Sequence, residues 1–94
     1  MSTNDLKDEG NEMFKQKKFI RAVELYTEAI KEAPEDHTLY ANRSASFHNL
    51  NKYEEALKDG EKCVELQSDW PKGYLRCAMA LHGLLRFSEA LEYY

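Results

Sequence analysis

A shift of 34 residues lays this chain on itself. Ala22, Ala56 and Ala90 coincide, as do Phe19, Tyr53 and Phe87, the series Val23, Leu57, Leu91 and the series Leu6, Tyr40, Tyr74. Small residues recur as well, with Gly10, Ser44 and Ala78 in register. A unit of that length buries its apolar face only by stacking on its neighbours, so the period by itself points to an array rather than a globule around one centre.

Within each unit the apolar residues follow helical spacing. Leu6, Met13 and Phe14 mark a first helix, and Ala22, Leu25, Tyr26, Ala29 and Ile30 mark a second at i, i+3, i+4, i+7 and i+8. No strand alternation competes. Pro34 closes the first helical pair, and Pro71 opens the third at a position where a missing N–H costs nothing. The spacing predicts helices over 4–16, 20–32, 38–50, 54–67, 71–84 and from 87 onward. They form one all-α domain over 1–94 with repeats at 3–36, 37–70 and an incomplete 71–94. Gly10 and Ala22 let the paired helices approach closely, while Phe47 and Leu57 fill the space that remains.

Charge narrows the function. Thirteen Lys and Arg against seventeen Asp and Glu leave a net charge of -4, which argues against a general nucleic-acid binder. No cationic start leads into an apolar run and no long apolar stretch occurs, so neither a signal peptide nor a membrane span is expected and the cytosol is the expected compartment. Cys63 and Cys77 read as reduced core residues. Asn42-Arg43-Ser44 is a chance match to a glycosylation sequon inside a helical pattern. Trp70, just before Pro71, is expected to pack at a turn, and Glu54, Lys58, Glu61 and Glu65 to form a solvated face. No metal-ligand cluster, phosphate loop or paired nucleophile and base is present, so no cofactor, metal or enzymatic activity is expected.

The period, with Leu6, Gly10, Met13, Ala22, Tyr26, Ala29 and Pro34 at fixed offsets in the first unit, resembles the tetratricopeptide repeat. The second unit departs from that pattern with Ser44, Gly60, Cys63 and Ser68. The resemblance implies a right-handed superhelix of antiparallel helix pairs whose concave side carries the first helix of each unit, with the third repeat truncated. Groove positions of the family fall on Lys7, Asn11 and Phe14, on Asn42, Ala45 and His48, and on Lys72, Arg76, Met79 and His82. Lys72 and Arg76 are like charges four apart, and Arg76 and Lys7 have no acid at i±3 or i±4.

Lys7 and Asn11 in "LKDEGN", Asn42 in "YANRSA" and Lys72 with Arg76 in "KGYLR" reproduce the five polar residues of the carboxylate clamp of co-chaperone tetratricopeptide domains. The resemblance implies a receptor for the C-terminal Glu-Glu-Val-Asp tail of heat-shock protein 70 or heat-shock protein 90. Lys7, Asn11 and Asn42 would hold the terminal carboxylate, and Lys72 and Arg76 the side-chain carboxylates and peptide carbonyls. Phe14, Ala45, His48 and Met79 would form an apolar pocket for the residues upstream. The stretches "DWPKGYLR" and "LYANRS" are similar to the first repeat domain of the co-chaperone family that organises these two chaperones. Two further readings stay open: a chaperone-targeting module of a larger enzyme such as a phosphatase, prolyl isomerase or ubiquitin ligase, and a scaffold. The cut in the third unit predicts that the end frays from about Phe87 or self-associates through its exposed apolar strip.

Overall fold

Ser2 starts the first helix by accepting the Asp5 N–H at 3.1 Å on its hydroxyl. A computed structural model describes residues 1–84 of the chain. These form α1 (Thr3–Lys15), α2 (Phe19–Glu32), α3 (His37–Asn49), α4 (Tyr53–Leu66) and α5 (Pro71–Gly83). Each boundary lies within a residue of the one predicted from periodicity. The sixth helix, and the fraying or self-association expected of it, lie outside the described residues.

Turns repeat as faithfully as helices. Lys17 and Asn51 adopt left-handed backbone, with φ of 62° and 61°. At each the chain closes the preceding helix with a pair of bonds: Lys17 and Lys18 donate to the Phe14 and Met13 carbonyls at 2.9 and 2.8 Å, and Asn51 and Lys52 to His48 and Phe47 at 3.0 and 2.9 Å. Asparagine tolerates this backbone, whereas a lysine there carries the steric cost of its Cβ. The link between units repeats too. Tyr40 donates its hydroxyl to the Pro34 carbonyl at 2.8 Å, and Tyr74 does the same to Ser68 at 2.7 Å. The acceptor is backbone, so Ser68 serves where the repeat pattern has proline.

The departures of the second unit compensate one another. In the first unit a Cβ on Gly10 would lie 2.7 Å from the Tyr26 ring, so glycine is the residue that admits the aromatic. In the second, Gly60 takes the aromatic's place, and position 44 has room for a serine whose hydroxyl donates to the Ala56 carbonyl at 2.7 Å. The space at Gly60 goes to α5, where the Cys77 backbone nitrogen and sulfur come within 3.0 Å of where a Cβ would stand.

Leu6, Ala22, Leu25, Tyr26, Ala29 and Leu39 form one buried cluster, and Tyr40, Ala41 and Cys63 a second that Trp70 packs against. Consecutive helices pack in chain order. The first helices of the units also meet, α1 with α3 and α3 with α5, whereas α2 and α4 do not. That asymmetry lines α1, α3 and α5 side by side on one wall. Between the units Arg43 and Asp59, 4% exposed, form a two-pronged ion pair at 2.8 Å on both prongs. Arg43 also donates to Thr27 at 3.2 Å and lies against the rings of Tyr40 and Phe47. Hydrogen bonding to Asp59 raises the Arg43 pKa, which keeps the guanidinium charged.

Candidate functional site: a cationic groove on the first helices

Asn11 and Asn42 meet across the wall. The Asn42 amide donates to Asn11 Oδ1 at 3.3 Å, and the Tyr26 hydroxyl donates to the same oxygen at 2.5 Å. Burial pushes the Tyr26 phenol up to about 12, so it remains a donor through the physiological range. With its oxygen engaged twice, Asn11 has its NH₂ left for a ligand.

A cleft of about 290 Å³ opens beside this pair. Asn11, Asn42 and Arg76 supply its polar lining, Phe14 and Ala45 its apolar lining, and Lys15 and Tyr26 complete it. Among these residues there is no carboxylate. Arg76 is the unusual group: its Nε is buried and has no hydrogen-bond partner among the described residues, where Nη1 meets only the Met79 sulfur at 3.6 Å. Burial pulls its pKa below the ordinary value, with Cys63 acting weakly in the other direction. A buried donor on a cation without an acceptor is costly, and an incoming oxygen anion relieves it.

The outer cations are held differently. Lys7, on α1, donates to the Thr38 hydroxyl at 2.7 Å and lies 4.0 Å from Asp36. No acid is available to it along its own helix, but tertiary packing supplies one from the start of α3. Burial raises the Asp36 pKa, and the opposing bonds from Thr38 together with the charges of Lys7 and His37 outweigh it, so the carboxyl lies below its ordinary range. Lys72 is exposed, with its ammonium 5.5 Å from the centre of the Trp70 ring. Arg76 instead points into the groove, so the two like charges are held by different neighbours.

The expected apolar pocket is only partly assembled. Phe14 and Ala45 line the cleft, but His48 forms a T-shaped pair with Tyr53, ring centroids 5.3 Å apart, and Met79 is drawn to the guanidinium. The His48 pKa lies below 6.5 because of burial first and then the neighbouring Arg76 and His82. Tyr26 and Lys15 were not anticipated in the groove. Tyr26 belongs to a second helix and reaches the groove only because Gly10 leaves room, while Lys15 follows the last groove position of its unit by one residue.

The second tetratricopeptide-repeat domain of Spaghetti (RPAP3), solved bound to the HSP90 peptide SRMEEVD, is 33% identical and superposes with a TM-score of 0.94 over 99% of this chain and 86% of that one. The chain belongs to the tetratricopeptide-repeat family. The TPR2B domain of yeast Sti1 in its pHsp70 complex is likewise similar to this repeat domain, at 35% identity and a TM-score of 0.94 over 97% of this chain and 73% of that one. A relative is the Hsp70-Hsp90 organising protein of Plasmodium falciparum, 43% identical over 89 residues, which cover 95% of this chain and 35% of the relative. This tetratricopeptide domain therefore spans about a third of that relative, and 16% of the Hsp70-Hsp90 organising protein of Plasmodium falciparum isolate 3D7. No model of a protein family matches the chain. Among the described residues of this tetratricopeptide domain, no helix is long and apolar enough to cross a membrane.

Proposed function

We propose that the groove binds the C-terminal Glu-Glu-Val-Asp tail of heat-shock protein 70 or heat-shock protein 90, and that the domain acts in the cytosol as a non-catalytic co-chaperone adaptor. The buried, unpartnered Nε of Arg76, in a cleft lined by two asparagines and no acid, is the observation that carries the reading. In it Lys7, Asn11 and Asn42 take the terminal carboxylate, and Lys72 and Arg76 take the peptide's side-chain carboxylates and carbonyls. Peptide complexes of similar domains support the choice of ligand.

A terminal aspartate brings two carboxylates, each expensive to desolvate without charged or amide donors. A charge-assisted hydrogen bond contributes about 1.5–3 kcal/mol. Several of these, less the cost of ordering a short peptide, give roughly micromolar affinity. Phe14 and Ala45 offer an apolar floor for the valine between the acids.

Calorimetry with a peptide ending in free-acid Glu-Glu-Val-Asp tests the reading. Amidating that terminus is expected to weaken binding strongly, and Arg76→Ala to weaken it by about tenfold or more with helicity retained. Equal affinity for the amidated and free-acid peptides overturns the clamp assignment.

A further inference from the structure

Lys15 lines the cleft yet has no charge partner. The one acid within its helical reach, Glu12, accepts from Gln16 Nε2 at 3.1 Å instead, and the Lys15 ammonium takes part in no hydrogen bond or ion pair among the described residues. It sits in the last turn of α1, on the same helix as Lys7 and Asn11.

The axial distance sets what it can touch. Lys7 and Lys15 are eight residues apart on α1, or about 12 Å along the axis. An extended peptide covers roughly 3.4 Å per residue, so about 12 Å corresponds to three to four residues. If the terminal carboxylate lies at Lys7, the residue level with Lys15 is the third before the terminal one. In Glu-Glu-Val-Asp that residue is the first glutamate. In the 34-residue register Arg76 falls level with residue 8 of α1, one residue beyond Lys7, so it lies near the terminal end of the tail and well short of Lys15.

We propose that Lys15 pairs with the first glutamate of the bound tail and makes this groove selective for an acidic residue three positions before the terminal aspartate. The inference rests on the clamp reading above. It gives the first glutamate a receptor of its own, Lys15 in the last turn of α1, apart from Arg76 on α5, which lies level with the terminal end of the tail. Lys15 is exposed, so its contribution is an open, salt-screened ion pair rather than a desolvated one.

The test is a cycle of binding measurements on the whole domain. The probes are a peptide ending in Glu-Glu-Val-Asp, the same peptide with the first glutamate changed to Gln, and one with the second changed to Gln. The protein variant is Lys15→Met, which keeps the apolar stem in the cleft and removes only the charge. Changing the first glutamate is expected to weaken wild-type binding about threefold to fivefold and to leave Lys15→Met binding unaltered, while changing the second weakens both proteins equally. A peptide with Lys in the first glutamate's place is expected to bind Lys15→Glu better than wild type. If the free-acid peptide binds but the loss from the first glutamate is the same in both proteins, the Lys15 assignment is overturned and the clamp stands. If the free-acid peptide fails to bind wild type, both fall.

Discussion

The Tyr26 hydroxyl on α2 donates to Asn11 Oδ1 on α1 at 2.5 Å, so a second-helix residue orients a groove amide. Tyr26→Phe removes only that hydroxyl and keeps the ring packed on Gly10. Binding of a free-acid Glu-Glu-Val-Asp peptide is expected to weaken about fivefold, the equivalent of one ordinary hydrogen bond near 1 kcal/mol, with a melting temperature within a few degrees of wild type. Calorimetry showing unchanged affinity would mean that Asn42 alone is enough to hold Asn11.

Asp36 competes with the ligand for Lys7. Its carboxylate lies 4.0 Å from the ammonium, and its side chain also caps α3 by accepting from the Thr38 N–H at 3.0 Å. Asp36→Asn retains a good cap and removes the charge. Peptide affinity is expected to rise about twofold to threefold, in line with one exposed ion pair. Fluorescence anisotropy with a labelled peptide measures it, and weaker binding of the variant would contradict the competition.

Arg43 and Asp59 stabilise the stack rather than the groove. Asp59→Ala leaves a guanidinium 19% exposed without its counter-charge, and loss of about 3 kcal/mol is expected in urea unfolding. Replacing both, as Arg43→Met with Asp59→Leu, is expected to recover most of that loss, because the desolvation cost goes with the charges. Should Asp59→Ala unfold at the wild-type midpoint, the pair is not a determinant of stability.

His48 makes the groove respond to pH in two opposite ways. Its folded pKa lies below the ordinary 6.5, so the unfolded chain binds the proton more readily. Stability is therefore fully present above 6.5 and declines as pH falls from there toward the folded pKa. A bound anion offsets the repulsion from Arg76 and favours the protonated imidazole, so peptide affinity is expected to rise over the same fall in pH. His48→Gln is expected to flatten both trends. Matched melting and binding series between pH 7.5 and 5.5 check this, and an affinity that falls toward acid in wild type contradicts the coupling of His48 to the ligand through Arg76.

Local rules carried the sequence a long way. The 34-residue period and the i, i+3, i+4 spacing located five helices to within a residue, because both depend only on backbone geometry and on which face is apolar. The same register put Asn11, Asn42 and Arg76 on the first helices, and the fold brings those three to one cleft.

Charge pairing was not legible, because a search at i±3 and i±4 sees only partners on the same helix. Lys7 and Arg43 both lack an acid by that measure, yet Asp36 and Asp59 reach them from elsewhere in the chain, and among the described residues only Arg76 keeps a buried side-chain donor unpartnered. Tyr26, absent from the groove positions of its repeat, enters the site because Gly10 admits its ring, and Gly60 in the next unit supplies no equivalent. Helix spacing is a property of one segment, and the sequence determines it alone. Which cation is neutralised and which is left for a ligand depends on how the helices are rotated against one another, and only side-chain packing between units decides that.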